Sequence, residues 1–310
     1  MTNDVTIIAG PCSVDENNLK QIYEIADITI DTLDGPRKAV YGTRVVGLKS
    51  RTNLEHSTDI MGMDFEAIMH NITNPDDQQQ MPSIELAAKI VADTGLLVAT
   101  ELLIPHIQLP LFARAGIPAG KLLGWSPAVN MLGWPIYETA VIAKKQGWAV
   151  GIKNGKWLGE ELRIAESPDY IGETSMEKAW KGLADYAIIA DEVVMIQRGV
   201  DVPGKGDFRN AVIHHTALRV KKALLSKYPG KTVKMYLDPS HSYGPKLRAE
   251  IPQAIVDAMK INIDATTALY DGAMVEVGDS KTDTEQHITV AELRWVINEI
   301  SKIRPLRTRA

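Results

Sequence analysis

At 310 residues, 45% of them hydrophobic and 24% charged, the chain is long enough to bury one large core or two of medium size. A net charge of −5, with neither sign gathered in long blocks, argues against nucleic acid or an anionic membrane surface as the main partner. The single cysteine, Cys12, excludes an internal disulfide and points to a reducing, cytoplasmic setting.

The opening residues TNDVTIIAG lack the basic region and long apolar core of a signal peptide. The most apolar stretch, LAAKIVADTGLLVATELLIP, is interrupted by Lys89, Asp93 and Glu101, which argues against a membrane-spanning helix. Short apolar runs recur along the chain: VTIIA (5–9), RVVGLK (44–49), LLVATE (96–101), KLLGW (121–125), WAVGIK (148–153), EVVMIQ (192–197), VKMYLD (233–238) and AMVEV (273–277). Their near-continuous hydrophobicity suits strands covered on both faces. Between them, helical periodicity is expected over 17–31, 83–94, 107–115, 136–146, 176–187, 209–227, 251–268 and 290–302. Eight strands, each followed by a helix, predict a single (β/α)8 TIM barrel spanning 1–310. An open doubly wound sheet is the alternative, but no Gly-x-Gly-x-x-Gly follows an early strand. Two connections are long: about 50–82, carrying NITNPDDQQQMP, and about 154–175. No fused regulatory domain is expected before Cys12 or after 305, and the basic tail RPLRTRA is expected to be a solvated end.

In such a barrel the C-terminal ends of the strands carry the chemistry, and here those ends hold a selective set. Cys12 follows the first run, where Gly10-Pro11 turns the chain. Arg44, Lys49 and Arg51 lie in TRVVGLKSRT at the second. The third run ends in Glu101, and the fifth in Lys153 of GIKNG. Arg198 follows the sixth, in IQRG. The seventh runs into Asp238 and His241 (LDPSHS), and the eighth carries Glu276 in MVEVG, with Asp283 soon after. Taken alone, each has a plainer reading: Cys12 a packed thiol, His241 a loop histidine, Glu276 an ion-pair partner, Asp283 a solvated turn residue, each cation a surface group. Their gathering at strand ends argues for a shared site.

Two subsets separate by chemistry. Cys12, His241, Glu276 and Asp283 offer a thiolate, an imidazole and two carboxylates, a mixed soft and hard set suited to a divalent transition metal (Mn, Fe, Co or Zn). Arg44, Lys49, Lys153 and Arg198 are cations that would repel one another unless an anion joins them, and phosphate or carboxylate is the usual answer. Arg51-Thr52 offers a second phosphate position further out. The expected class is a metal-assisted enzyme acting on phosphorylated, carboxylate-bearing small molecules.

AGPCS, the Arg44-to-Lys49 spacing with KSRT, GIKNG, IQRG, DPSHS and MVEVG…TDTEQHIT fall in an order that resembles the metal-dependent 3-deoxy-D-arabino-heptulosonate 7-phosphate (DAHP) synthases, over about 7–300. The 3-deoxy-octulosonate 8-phosphate synthases share much of the layout. The resemblance implies condensation of phosphoenolpyruvate with a phosphorylated aldose, erythrose 4-phosphate for the DAHP enzymes, at the start of the shikimate pathway and of aromatic amino acid biosynthesis. It implies Cys12, His241, Glu276 and Asp283 as metal ligands, Arg44, Lys49, Lys153 and Arg198 around phosphoenolpyruvate, and Arg51 with Thr52 on the aldose phosphate. It also implies Lys49 as proton donor to the new alkoxide and Asp238 as the group orienting His241 or a water. A homo-oligomer is expected.

The chain departs from the family pattern at several points. A GARN-type motif after the fourth strand reads GWSPAVN, placing Ser126 or Pro127 where an arginine is expected, unless Lys121 or the 50–82 connection supplies a cation. Ser50 replaces the proline of KPRT, and Gly278 stands where a histidine is common. These departures keep an octulosonate phosphate synthase, or a relative using another phosphorylated aldehyde, among the readings. Two further classes also remain: a Schiff-base aldolase using Lys153 or Lys49, and a sugar-phosphate-binding barrel with reduced catalysis.

Overall fold

The computed structural model describes residues 4–15, 18–48, 62–129 and 131–310. In chain order, β1 (Thr6–Gly10) leads to α1 (Leu19–Ala26), the hairpin strands β2 (Thr29–Thr32) and β3 (Gly35–Lys38), and β4 (Gly42–Arg44). Then come α2 (Phe65–Thr73), α3 (Pro82–Thr94), β5 (Leu97–Glu101), α4 (Pro105–Arg114), β6 (Leu122–Ser126), α5 (Gly133–Gln146) and β7 (Ala149–Lys153). The second half holds α6 (Leu162–Ala165), α7 (Ser175–Ala187), β8 (Glu192–Gln197), α8 (His214–Lys227), β9 (Thr232–Leu237), α9 (Pro239–Tyr243), α10 (Ile251–Ala258), β10 (Gly272–Glu276) and α11 (Val290–Ser301). Strands β1, β10, β9, β8, β7, β6, β5 and β4 pair in parallel in that order, and the Ile8–Gly42 pairing of β1 with β4 closes the ring. The chain is a single (β/α)8 barrel, which excludes the open sheet.

Strand alternation sorts each run between two cores. Ile8, Leu97, Ala99, Leu123, Trp125, Ala149, Val194, Ile196, Tyr236 and Met274 fill the barrel interior. Their neighbours Ile7, Val98, Leu122, Val150, Val193, Met235 and Val275 pack outward against the helices. Continuing the inward parity to the C-terminal ends puts Arg44, Glu101, Lys153, Asp238 and Glu276 on the inner face of the mouth, all buried. The barrel's register therefore assembles the site.

Several expected boundaries are corrected. The helix expected over 17–31 ends at Ala26, and Thr29–Thr32 pairs antiparallel with Gly35–Lys38. The β-branched alternation in TIDT favours extended backbone, and Gly35 at φ 97° supplies the left-handed turn. The helix expected over 251–268 ends at Ala258, because the Asp264 carboxylate accepts the amides of Thr266 and Thr267 at 2.8 and 2.9 Å and folds a turn instead. The helix expected from 209 starts at His214, where the Glu166 carboxylate accepts the His215 amide at 3.2 Å. The 50–82 connection contains α2, and the second strand ends at Arg44.

The tail also differs from a solvated end. Leu306 bridges to Val5, Arg307 lies 4.0 Å from the Tyr41 ring centroid, and Arg309 donates to the carbonyls of Val40, Ala26 and Thr94. These contacts close the N-terminal end of the barrel, opposite the mouth. Among the described residues no helix is long and apolar enough to cross a membrane.

Candidate functional site

The mouth is organised around Glu276, at the end of β10. Its Oε1 accepts from Arg44 Nη1 at 2.7 Å, and its Oε2 accepts from the Gln286 amide. The Ser240 hydroxyl accepts the Glu276 backbone amide at 3.0 Å. Two imidazoles bracket the carboxylate: His241 Nε2 is 3.9 Å from Oε1, and His287 Nε2 is 3.7 Å from Oε2. Cys12, carried inward past β1 by Pro11, has its sulfur 3.5 Å from Asp283 Oδ2.

A second centre forms at Asp238, at the exit of β9. Oδ1 meets His241 Nδ1 at 2.9 Å, and Oδ2 lies 3.7 Å from Lys153 Nζ. Lys153 also sits 4.9 Å from the centroid of the Trp125 ring, and the Arg44 guanidinium is 5.7 Å from it. Arg198 is anchored through its backbone amide, which donates to Asn154 Oδ1 at 2.7 Å.

Charge and burial act together here. Burial opposes ionisation of Glu276, yet the Arg44 guanidinium and the neighbouring histidines hold it well below the usual carboxylate range. Burial likewise opposes the charge on Asp238, which its contact with His241 and the cations Lys153 and Arg44 hold low. Burial lowers Lys153 and Arg198 against the pull of Asp238 and Glu101. Burial also lowers His241 and His287 against the pull of Asp238 and Glu276 respectively. The cations expected to need an external anion are thus partly matched by strand-end carboxylates. Matching is incomplete: Arg44 Nε, Arg198 Nη1, Trp125 Nε1, Asp238 Oδ2 and His287 Nε2 are buried without a hydrogen-bond partner among the described residues. Such a concentration of unsatisfied polar atoms at one mouth marks a place built for a ligand.

Of the residues singled out from sequence, Cys12, Arg44, Lys153, Arg198, Asp238, His241, Glu276 and Asp283 all lie at this end of the barrel. Lys49, Arg51 and Thr52 lie outside the described residues. Lys121, considered as a substitute cation, precedes β6 and donates to the Gly95 carbonyl at the opposite end. The inward side chain at the end of β6 is Trp125, an aromatic face in place of a cation.

Other residues of the site went unread in the sequence. Arg209 donates to Asp283 Oδ1 at 3.2 Å and to Gln286 Oε1 at 2.6 Å, and so links the loop after β10 to the one after β8. Asp283 itself has a left-handed backbone, φ 55°, the only non-glycine positive φ among the described residues. His287 was the other omission. Cys12, Glu276 and His287 place one ligand atom each within 4.8 Å of one another, all three residues buried. A thiolate, a carboxylate and an imidazole at that spacing fit a divalent transition ion.

No protein-family model and no curated protein sequence matches the chain. Among solved structures it is similar to a truncated form of 3-deoxy-D-arabino-heptulosonate 7-phosphate synthase from Thermotoga maritima, with a TM-score of 0.58 and 16% sequence identity. The alignment covers 97% of this chain and 87% of that one. At that identity the likeness is one of fold.

Proposed function

We propose that the chain is a metal-assisted synthase that condenses phosphoenolpyruvate with a phosphorylated aldose, erythrose 4-phosphate being the acceptor favoured by KSRT, to give DAHP and inorganic phosphate. One observation carries the reading: the buried Cys12 thiol, with Asp283 Oδ2 3.5 Å from its sulfur, and the buried Glu276 carboxylate, with His241 Nε2 3.9 Å from its Oε1, stand beside buried cations only partly matched among the described residues, at the chemical end of a (β/α)8 barrel. The likeness in fold to a DAHP synthase supports the same assignment.

Arg44, Lys153 and Arg198, with Lys49, would hold the carboxylate and phosphate of phosphoenolpyruvate, and Arg51 with Thr52 the aldose phosphate. Cys12, Glu276, His241 and Asp283 would hold the divalent ion, which supplies Lewis acidity toward a substrate oxygen. C3 of phosphoenolpyruvate forms the new bond to the aldehyde carbon. Water adds at C2, and phosphate departs by C–O cleavage. Lys49 would give its proton to the nascent alkoxide, and Asp238 fixes the His241 ring through the Nδ1 contact at 2.9 Å.

A second reading, a sugar-phosphate-binding barrel with reduced catalysis, is favoured by Trp125 at the β6 exit where a cation was expected. Phosphate release from phosphoenolpyruvate separates the two. The assay runs over a panel of aldose phosphates, four-carbon and five-carbon, first with Mn2+ and then after chelation. Release with one acceptor, abolished by chelator and restored by Mn2+, is expected. Release with no acceptor would leave the binding protein standing. Release that survives thorough chelation would remove the metal from the reading.

A further inference from the structure

We propose that His287 is a ligand of the divalent ion, so that this chain draws a second imidazole from the loop after β10. The inference rests on the metal-assisted reading above and adds to it a residue that the family resemblance did not supply.

The main chain delivers His287 to the site. The Ile288 amide donates to the Glu276 carbonyl and the Gly278 amide donates to the Ile288 carbonyl, each at 3.0 Å, in a short parallel bridge between 277 and 288. That pairing fixes the main chain of residue 287 alongside the end of β10 that carries Glu276. Gly278 has φ 79°, a left-handed backbone that favours glycine, and a Cβ there would meet Gln21 Oε1 at 2.0 Å.

The imidazole is held in the tautomer that a ligand needs. Its Nδ1 lies 2.6 Å from the Gly278 carbonyl oxygen, which can only accept, so Nδ1 carries the proton and Nε2 presents its lone pair. A backbone carbonyl on the far nitrogen is the usual support of a metal-bound histidine. Among the described residues Nε2 is buried with no hydrogen-bond partner, and its 3.7 Å separation from Glu276 Oε2 is too long for a hydrogen bond. It is compatible with two donors on one ion, since donor atoms bound at about 2.0–2.3 Å lie no more than about 4.6 Å apart. Cys12 completes the trio within 4.8 Å.

Co2+ titrated into the purified full chain tests the assignment. Thiolate-to-cobalt absorption reports Cys12, visible ligand-field bands report the donor set, and competition with a chelator gives affinity. His287→Asn removes Nε2 while keeping a donor for the Gly278 carbonyl. It is expected to keep the thiolate band, shift the ligand-field bands and weaken binding by about 10- to 100-fold or more. The thiolate band is expected to vanish in Cys12→Ser. A His287→Asn protein with the parent's affinity and spectrum overturns the His287 assignment and leaves the metal reading intact. A parent chain that binds no Co2+ overturns both. Proton NMR of the unmutated cobalt form depends on no variant's folding. An exchangeable, hyperfine-shifted imidazole N–H close to the Gly278 α-protons is expected, and its absence overturns the proposal.

Discussion

Arg44 Nη1 and Glu276 Oε1 lie 2.7 Å apart, closed off from solvent, and their strands β4 and β10 are the two neighbours of β1 in the barrel. The pair therefore ties the ring across the seam where its first and last strands meet. Removing one partner strands the other charge in a buried site, at a cost of about 3–5 kcal/mol. Arg44→Met and Glu276→Leu are each expected to lose about that much stability. The double variant Arg44→Met/Glu276→Leu, which leaves no orphaned charge, should lose well under the sum of the two. Urea unfolding of the full double-mutant cycle measures the coupling, and additive losses would show that the pair does not act as a unit.

Lys153 stands between Asp238 Oδ2 at 3.7 Å and the Trp125 ring at 4.9 Å. A charged contact to substrate contributes about 1.5–3 kcal/mol, or roughly 10- to 150-fold in affinity. Lys153→Met is therefore expected to raise KM for phosphoenolpyruvate by that factor, with the KM for the aldose phosphate much less affected. Steady-state kinetics with each substrate varied in turn checks this. An unchanged KM for phosphoenolpyruvate would count against the anion site as mapped.

The barrel was legible because a strand covered on both faces must be apolar on both, and each of the eight runs overlaps an observed strand. The strand ends were legible for the same reason. Once a strand is placed, its period of two decides that Lys153 or Glu276 points inward. Elsewhere long-range contacts decided the outcome. The helical reading of 17–31 ran through a segment that pairs as a hairpin, and the basic tail is held by carbonyls that Arg309 finds on Ala26, Val40 and Thr94. His287 has no periodic signature, since its place is set by main-chain pairing of 276–278 with Ile288. A histidine 11 positions after Glu276 in an irregular loop looks like any other until that bridge is seen. Lys49, Arg51 and Thr52, the sequence's candidates for the aldose phosphate side, lie outside the described residues.

Cys12 is 2% exposed, although it is the chain's one thiol and lies at a loop mouth. In the native protein it is expected to react slowly with a bulky aromatic disulfide reagent, and fully, one thiol per chain, in denaturant. Mn2+ or Co2+ should slow the native reaction further, in proportion to site occupancy, because a ligated thiolate is withheld from exchange. Thiol titration with and without the ion checks it. A rate indifferent to saturating metal would mean that Cys12 does not ligate.

His214, at the start of α8, gives a pH dependence separate from the mouth. Burial, reinforced by the neighbouring His215, lowers its pKa from 6.5 to about 4, and its Nδ1 shares a hydrogen bond with the Tyr270 hydroxyl at 2.8 Å. Between those two values the unfolded chain takes up a proton on this residue and the folded chain does not. The contribution to stability is therefore full above pH 6.5 and is lost progressively as pH falls toward about 4. A shift of that size corresponds to about 3 kcal/mol. His214→Gln offers the Tyr270 hydroxyl a partner without a titrating group, so its stability should fall less steeply across the same window. Denaturant unfolding of both proteins from pH 7.5 to 4 supplies the comparison. Parallel curves would place the acid sensitivity of the barrel elsewhere.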